Sequence, residues 1–145
     1  MTIIRLSPFS IRLIYTLCLA GATVNHAWTM FQHGLSWDYG GLPLFVCIFW
    51  TALTFVDPIA IALLLAKPRA GVVLTAAIVA ADVVVNGWVA ANFGIDAMAF
   101  AAQVAFLVFV AATARIAWGR RRRSGLGLAS GATTTLGFPP RTGRQ

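Results

Sequence analysis

LFVCIFWTALTFVDPIAIALLLA, residues 44–66, is a continuous apolar run that contains a single charged residue, Asp57. An α-helix needs about 20 apolar residues to cross a hydrocarbon core of roughly 30 Å, and this run has that length. A transmembrane strand is a poor alternative because the run lacks strict alternation of apolar and polar residues. The stretch therefore predicts a transmembrane helix.

Similar apolar runs lie on both sides of it, at residues 11–31, 71–91 and 97–118. The whole chain is 59% hydrophobic and 10% charged, which leaves too few polar residues to cover the surface of a soluble domain. The connections, residues 33–43, 67–69 and 92–96, are short, and short connections make consecutive helices antiparallel neighbours. We therefore predict an all-α integral membrane protein whose residues 1–118 form a four-helix up-down bundle.

Basic residues alternate between the connections. Arg5 and Arg12 lie at the start of the first run, and Lys67 and Arg69 lie between the second and third. Arg115 and Arg120–Arg123 lie at the end of the fourth. The other two connections have no lysine or arginine. By the positive-inside rule, this pattern predicts a multi-pass protein of the bacterial inner (plasma) membrane with both termini in the cytoplasm. Arg69, Arg120, Arg121, Arg122 and Arg123 are expected to fix this topology and to contact anionic lipid headgroups.

The two ends of the chain raise separate points. Residues 1–22 resemble a signal peptide, with basic residues, an apolar stretch and small residues at 20–22, although the apolar run continues to Phe31. Cleavage there would leave three spans and the same orientation. Residues 119–145 consist mainly of glycine, serine, threonine, proline and arginine, and are predicted to be a disordered basic cytoplasmic tail.

The net charge of +7 does not indicate nucleic-acid binding, because the basic residues lie at the ends of apolar runs and no nucleic-acid-binding motif is present. The lipid bilayer is the expected partner. Glycines and alanines in the first, third and fourth runs permit close helix approach, so a homodimer or another membrane protein partner is also possible.

Polar side chains within the spans are the candidates for function, because they are costly in lipid and usually turn to the bundle interior. Each span carries at least one; the candidates are Asn25, His26, Asp57, Asp82, Asn86 and Gln103. At a rise of ~1.5 Å per residue, His26, Asn86 and Gln103 share a level roughly 8 to 9 Å below the arginine-free surface. Asp82 lies about 14 Å and Asp57 about 20 Å below it. If they face inward, they form a path towards the membrane middle.

Asp82 and Asn86 are spaced i and i+4, so they share a helix face. They could form half of a site for a cation, a proton or a polar ligand, or they could hydrogen-bond to a neighbouring helix and fix its packing. Asp57-Pro58 predicts a kink in the second helix, because Pro58 has no backbone N–H and disfavours helical geometry at Asp57. Asp57 could instead cap a second half-helix, and broken helices at this depth often line transporter sites.

Other chemistry has weaker support. His26 could be structural, a proton relay or a metal or haem ligand, but no HxxxH or ExxH spacing accompanies it, so neither metal nor cofactor is predicted. No Ser/His/Asp arrangement can be argued from spacing. Most tryptophans fit interfacial belts, whereas Trp50 lies deeper, seven residues before Asp57, and could cover that residue.

The strings LTFVDPIA, from residue 53, and KPRAGVVLTAAIVAADVVVNGW, from residue 67, resemble an uncharacterised group of small bacterial four-span inner-membrane proteins. The resemblance covers about a quarter of the chain. It implies a bacterial inner-membrane location and signature residues at Asp57, Pro58, Arg69, Asp82 and Asn86, but it implies no activity.

Three functional hypotheses follow. The first is a bundle that binds or moves a proton, a cation or a small amphiphile through its polar path. The second is a structural or accessory subunit of a membrane complex. The third is an enzyme that modifies a lipid or isoprenoid, with Asp82 or His26 as acid or base.

Overall fold

The computed structural model describes residues 7–119. Within this range the chain forms four α-helices, α1 (Pro8–His33), α2 (Leu44–Ala66), α3 (Pro68–Asn92) and α4 (Ala97–Ala117). Each helix packs against its neighbour in sequence, and α4 returns to contact α1. The predicted all-α bundle is confirmed. Arg5, Arg120–Arg123 and the predicted tail lie outside the described residues.

Three of these helices, α2, α3 and α4, are long and apolar enough to cross a membrane. The remaining helix, α1, is the longest at 26 residues but is less apolar than the others, because Arg12, Asn25 and His26 fall within it. The bundle exposes many large apolar side chains, including Phe31, Leu44, Val84 and Met98. Such a surface suits contact with acyl chains, since a water-soluble domain rarely exposes large apolar patches.

Two helices begin earlier than the apolar runs predict. The first starts at Pro8, with Ser7 as N-cap accepting a hydrogen bond from the backbone N–H of Ser10 at 3.0 Å. Proline fits the first helical position because its missing N–H would have no partner there. For the same reason α3 starts at Pro68, and the predicted connection of three residues contracts to Lys67 alone.

Proline inside α2 does not break it. The helix is continuous from Leu44 to Ala66 with Pro58 in its interior, so the alternative of two half-helices is wrong. Pro58 still cannot donate to the carbonyl of Thr54, four residues earlier, and this missing bond is the usual cause of a kink. The kink itself stays a prediction.

We name the two ends of the bundle by their connections. The loop end carries the α1–α2 loop (residues 34–43) and the α3–α4 loop (residues 93–96), and the turn end carries Lys67 between α2 and α3. The buried apolar core lies mainly towards the turn end and draws on all four helices; it includes Ile11, Tyr15, Ala60, Leu64, Val72, Val110 and Ala117. That half of the bundle is closed.

A buried polar contact joins α1 to α4 within this core. The Tyr15 hydroxyl, fully buried, donates to the carbonyl of Val110 at 3.2 Å and lies 2.7 Å from the hydroxyl of Thr113. The Tyr15 ring also meets Phe106 and Phe109 edge-on, with centroids 6.0 and 5.9 Å apart. This cluster closes the ring of helices at the turn end.

Gly71 allows α3 to approach α2 after the one-residue turn. A Cβ at this position would lie 2.7 Å from the carbonyl carbon of Leu63 and closer still to the backbone of Leu64. Backbone atoms cannot move aside as the end of a flexible side chain can. A side chain at residue 71 would therefore force the two helices apart.

We expect Gly71→Ala to destabilise the bundle by about 1–3 kcal/mol, the usual cost of overpacking a close contact. The measurement is the temperature at which half of the detergent-solubilised protein loses its monodisperse gel-filtration peak. Gly21→Ala is the matched control, because a Cβ there meets nothing within 4 Å. Equal behaviour of the two variants would contradict the close approach.

Candidate functional site

Asn86 is the centre of a hydrogen-bond network in the loop-end half. Its side chain is 2% exposed. The Nδ2 group donates to Oδ1 of Asp82 at 2.9 Å and to Oε1 of Gln103 at 2.8 Å. Its Oδ1 accepts from the indole Nε1 of Trp50 at 2.9 Å. One amide therefore uses both donor hydrogens and an acceptor position to link α2, α3 and α4.

This network fulfils one of the two roles considered for the pair at residues 82 and 86. The two side chains share a face, as their spacing predicts, and Asn86 bonds to neighbouring helices. Asp82 accepts only from Asn86 among the described hydrogen bonds, and its carboxyl group borders a cavity. Helix packing accounts for Asn86, whereas Asp82 keeps acceptor capacity for another group.

The inner cavity has a volume of about 350 Å³ and lies between all four helices. Its walls are mostly apolar, and include Leu19, Leu53, Ile78, Val79 and Phe106. The polar lining residues are Asn25 and His26 of α1, Asp57 of α2, Asp82 of α3 and Gln103 of α4. The packing of the bundle thus brings two carboxyl groups, of Asp57 and Asp82, to one cavity.

Asp57 has a buried carboxyl oxygen that makes no hydrogen bond. It is 1% exposed, and its Oδ1 has no hydrogen-bond partner. The other buried side-chain atoms without a partner in residues 7–119 are threonine hydroxyls, so Asp57 is the only ionisable group among them. It does not cap the backbone through this oxygen. A buried carboxyl oxygen without a donor is costly, so this position favours a partner from outside the chain.

A second cavity, of about 300 Å³, continues from the first towards the loop end. The two share Asn25, His26 and Gln103 among their lining residues. Asn86 and Trp50 line the outer cavity, and Trp37 and Tyr39 reach it from the α1–α2 loop. The two cavities together therefore lead from the α1–α2 loop to Asp57. They stop at the apolar core of the turn-end half.

Aromatic rings surround the mouth of this path. The ring centroids of Trp37 and Tyr39 are 4.5 Å apart, and those of Tyr39 and Trp50 are 5.0 Å apart. His33 stacks on the outer side of Trp37 at 3.9 Å. We call Trp37, Tyr39 and Trp50 the aromatic mouth. Ring faces carry partial negative charge and attract cations within about 6 Å.

The α1–α2 loop, which carries Trp37 and Tyr39, contains several residues with positive φ angles. Gly34, Gly40 and Gly41 have φ values of 83°, 80° and 88°, and Tyr39 itself has a φ of 51°. The Asp38 carboxylate accepts from the N–H of Gly40 at 3.0 Å, and this bond holds the turn. Glycine tolerates such angles because it has no Cβ.

The predicted site residues therefore come together. His26, Asp57, Asp82 and Gln103 line the inner cavity, and Asn86 joins Asp82 and Gln103 at the border of the outer one. Arg69 lies elsewhere, at the turn end. Trp50 does not line the inner cavity, contrary to the expectation that it covers Asp57; it bonds to Asn86 instead.

Sequence reasoning missed the aromatic mouth. Trp37 and Tyr39 were expected at an interface or in a loop, and no periodicity could place them over the bundle. Glycines in the loop were the available signal that the chain turns back. Cys18 is exposed on α1 and lines the inner cavity, whereas Cys47 is buried.

Within residues 7–119 no group of three His, Cys, Asp or Glu side chains is placed to hold a metal ion. No protein-family model matches the sequence, and no match is found among curated proteins or solved structures. The resemblance to a group of bacterial four-span proteins therefore stays a prediction, and the functional argument rests on the geometry of the cavity.

Asn86→Ala is expected to remove the hydrogen bonds to Trp50, Asp82 and Gln103 together. At about 0.6 kcal/mol for an average hydrogen bond between membrane helices, the loss of stability should reach about 1–2 kcal/mol. Thermal unfolding in detergent measures it, and the emission of Trp50 should change as its indole loses an acceptor.

Asn92→Ala is the matched control on the same helix. Asn92 is exposed and makes only a local bond to the carbonyl of Trp88 at 2.8 Å. If both asparagine variants lose the same stability, the network does not couple the three helices.

Proposed function

We propose that this chain is a membrane protein that binds a small amphiphilic organic cation in its inner cavity, with Asp57 and Asp82 as the anionic partners. The observation that carries the proposal is the buried Oδ1 of Asp57, which has no donor and belongs to a residue lining the inner cavity. A positively charged group in the cavity would supply a counter-charge to this carboxyl group. Apolar walls would receive the rest of the ligand.

Other occupants fit less well. An inorganic cation such as Ca²⁺ or Mg²⁺ requires a shell of about six or more oxygen ligands, and most of this cavity wall is hydrocarbon. A proton would satisfy a carboxyl oxygen without any cavity. A volume of about 350 Å³ lies in the range of pockets for small organic molecules.

The aromatic mouth supports the same ligand class. A quaternary or protonated amine is attracted to indole and phenol faces by about 0.5–2 kcal/mol, depending on solvent exposure. An organic cation would thus meet Trp37, Tyr39 and Trp50 first, and then the carboxyl groups. Because both the aromatic rings and the carboxylates attract positive charge, the site should bind a cation more tightly than a neutral ligand of equal shape.

We further propose the orientation that the charge pattern predicts. The turn end, with Arg12, Lys67, Arg69 and Arg115, would face the cytoplasm of a bacterium, and the loop end would face outward. The cavity would then admit ligands from outside the inner membrane. Because the apolar core closes the turn end, the described conformation suits binding, and transport would require a second conformation or a dimer.

The binding test uses benzyltrimethylammonium as the probe and neopentylbenzene, its uncharged carbon isostere, as the reference. We expect the cation to quench tryptophan fluorescence of the purified protein in nanodiscs saturably, and the isostere to bind at least tenfold more weakly. Asp57→Asn should weaken cation binding by about tenfold, equivalent to 1.4 kcal/mol, because it removes a charge in a poorly solvated place.

Asp96→Asn is the matched control, because Asp96 is an exposed N-cap of α4 outside the cavity and asparagine caps equally well. Gel filtration verifies that both variants fold. Equal binding of the cation and the isostere, or equal loss in both variants, would refute the proposal.

A second candidate function has one observation in its favour. Within α4 only Val110 and Ala117 are buried, so the helix leaves most of its surface, including Ala101, Ala105 and Ala112, outside the bundle. Small residues allow close helix packing, which suits an accessory subunit. This function would replace cation binding if the probe failed to bind while the protein purified at fixed stoichiometry with another membrane protein. The enzyme hypothesis stays a prediction.

The orientation has its own test. Reporter fusions inserted in the α1–α2 loop and in the α3–α4 loop should be active on the outer side of the membrane, and a fusion after residue 145 should be active in the cytoplasm. Loop fusions on the same side as the carboxyl-terminal fusion would show that the positive-inside argument fails here.

A further inference from the structure

The surface of the turn end has an open hollow that the proposed cation site does not use. It has a volume of about 430 Å³. Its charged lining comes from two separate segments: Arg12 from α1, and Lys67 and Arg69 from the α2–α3 turn. Trp118, at the end of α4, forms another part of the wall. Three cations therefore border one hollow, although they are distant in sequence.

These cations lack an acidic side chain to neutralise them. The chain has only four acidic residues, Asp38, Asp57, Asp82 and Asp96. Asp38 and Asp96 lie in the loops of the opposite end, and Asp57 and Asp82 line the inner cavity. The structure describes no ion pair for Arg12, Lys67 or Arg69 with any of them. These positive charges therefore remain available to an anion from outside the chain.

We propose that this hollow binds a phosphate group, and we call it the phosphate pocket, defined by Arg12, Lys67, Arg69 and Trp118. Guanidinium groups match phosphate through two parallel hydrogen bonds, and a lysine ammonium adds a compact charge. The group is a phosphate diester if it belongs to an anionic phospholipid, or a free phosphate if it comes from solution.

Trp118 and the position of the pocket suit a lipid. Tryptophan prefers the headgroup level of a bilayer, where its ring contacts acyl chains and its N–H remains near water. Ile116, two residues before Trp118 on the last turn of α4, is an exposed apolar side chain near the same end. Basic pockets at the cytoplasmic side of helix bundles bind anionic headgroups in the same way.

The pocket also connects α1 with the turn between α2 and α3. Lys67 is the only residue between α2 and α3, whereas Arg12 lies in the second turn of α1. A bound phosphate would bridge α1 to the α2–α3 turn by electrostatic attraction. Binding should therefore raise the thermal stability of the whole bundle, since a ligand that binds only the folded state stabilises it.

The experiment has two arms on the full chain. In the first, protein in nanodiscs of phosphatidylcholine with 20% phosphatidylglycerol is released into detergent, and native mass spectrometry counts the phosphatidylglycerol that stays bound. In the second, inorganic phosphate is titrated into protein in uncharged detergent, and the shift of the melting temperature is recorded, with sodium chloride at equal ionic strength as the reference.

We expect bound phosphatidylglycerol or a saturable phosphate-dependent shift, and a reduction of roughly fivefold in affinity for each cation removed in Arg12→Gln and Arg69→Gln. Arg115→Gln is the matched control, because Arg115 is basic, lies near the same end and does not line the phosphate pocket. A result in the first arm, with or without one in the second, identifies a lipid headgroup, and a result in the second arm alone identifies free phosphate.

Arg12→Lys combined with Arg69→Lys covers the case in which the glutamine variants misfold or change topology, since it keeps both charges. It should retain some binding but lose the forked guanidinium geometry, and so bind more weakly than the unaltered chain. Binding in neither arm, or equal loss in Arg115→Gln and the pocket variants, would overturn the phosphate pocket.

Discussion

Hydrocarbon offers no hydrogen-bond partners, and this constraint governs where every polar side chain of the bundle lies. A helix satisfies its own backbone, but side chains such as Asp57 and Asn86 must find partners within the protein. Turning inward satisfies Asn86 completely through contacts to Trp50, Asp82 and Gln103. It does not satisfy Asp57, whose Oδ1 has no donor. The lack of hydrogen-bond partners in hydrocarbon therefore explains two features. One is the network around Asn86, which links the helices, and the other is the carboxyl group of Asp57, which favours a ligand.

The two halves of the bundle divide these tasks. Towards the turn end, apolar side chains pack closely around Tyr15, and the glycine at residue 71 brings the backbones of α2 and α3 together. Towards the loop end, polar side chains such as His26, Asp82 and Gln103 line the two cavities. Polar side chains line an internal cavity only in the loop-end half, so the cavity does not continue through the bundle. The resulting site is a recess with one mouth.

Much of this arrangement follows from the sequence, and the exceptions have physical causes. Run length and charge placement predict the helices because they reflect the thickness and solvent properties of the bilayer. The shared level of His26, Asn86 and Gln103 follows from helix rise alone. Helix rotation does not, since the apolar runs are nearly uniform around their circumference; only the packed bundle reveals that Trp50 turns to Asn86. The loop aromatics depend on left-handed backbone angles at glycines, which no periodicity encodes.

The single residue that separates α2 from α3 affects how such a recess can open. With only Lys67 between them, and with Gly71 pressed against Leu64, the second and third helices form a stiff hairpin that has little freedom to hinge. The first helix is joined to this hairpin through ten loop residues, several of them glycines, and to the fourth chiefly near Tyr15. Among neighbouring helices α1 and α4 share the least contact, so an opening of the recess is expected along the seam between them, with Tyr15 at its closed end and the hairpin as the opposite wall.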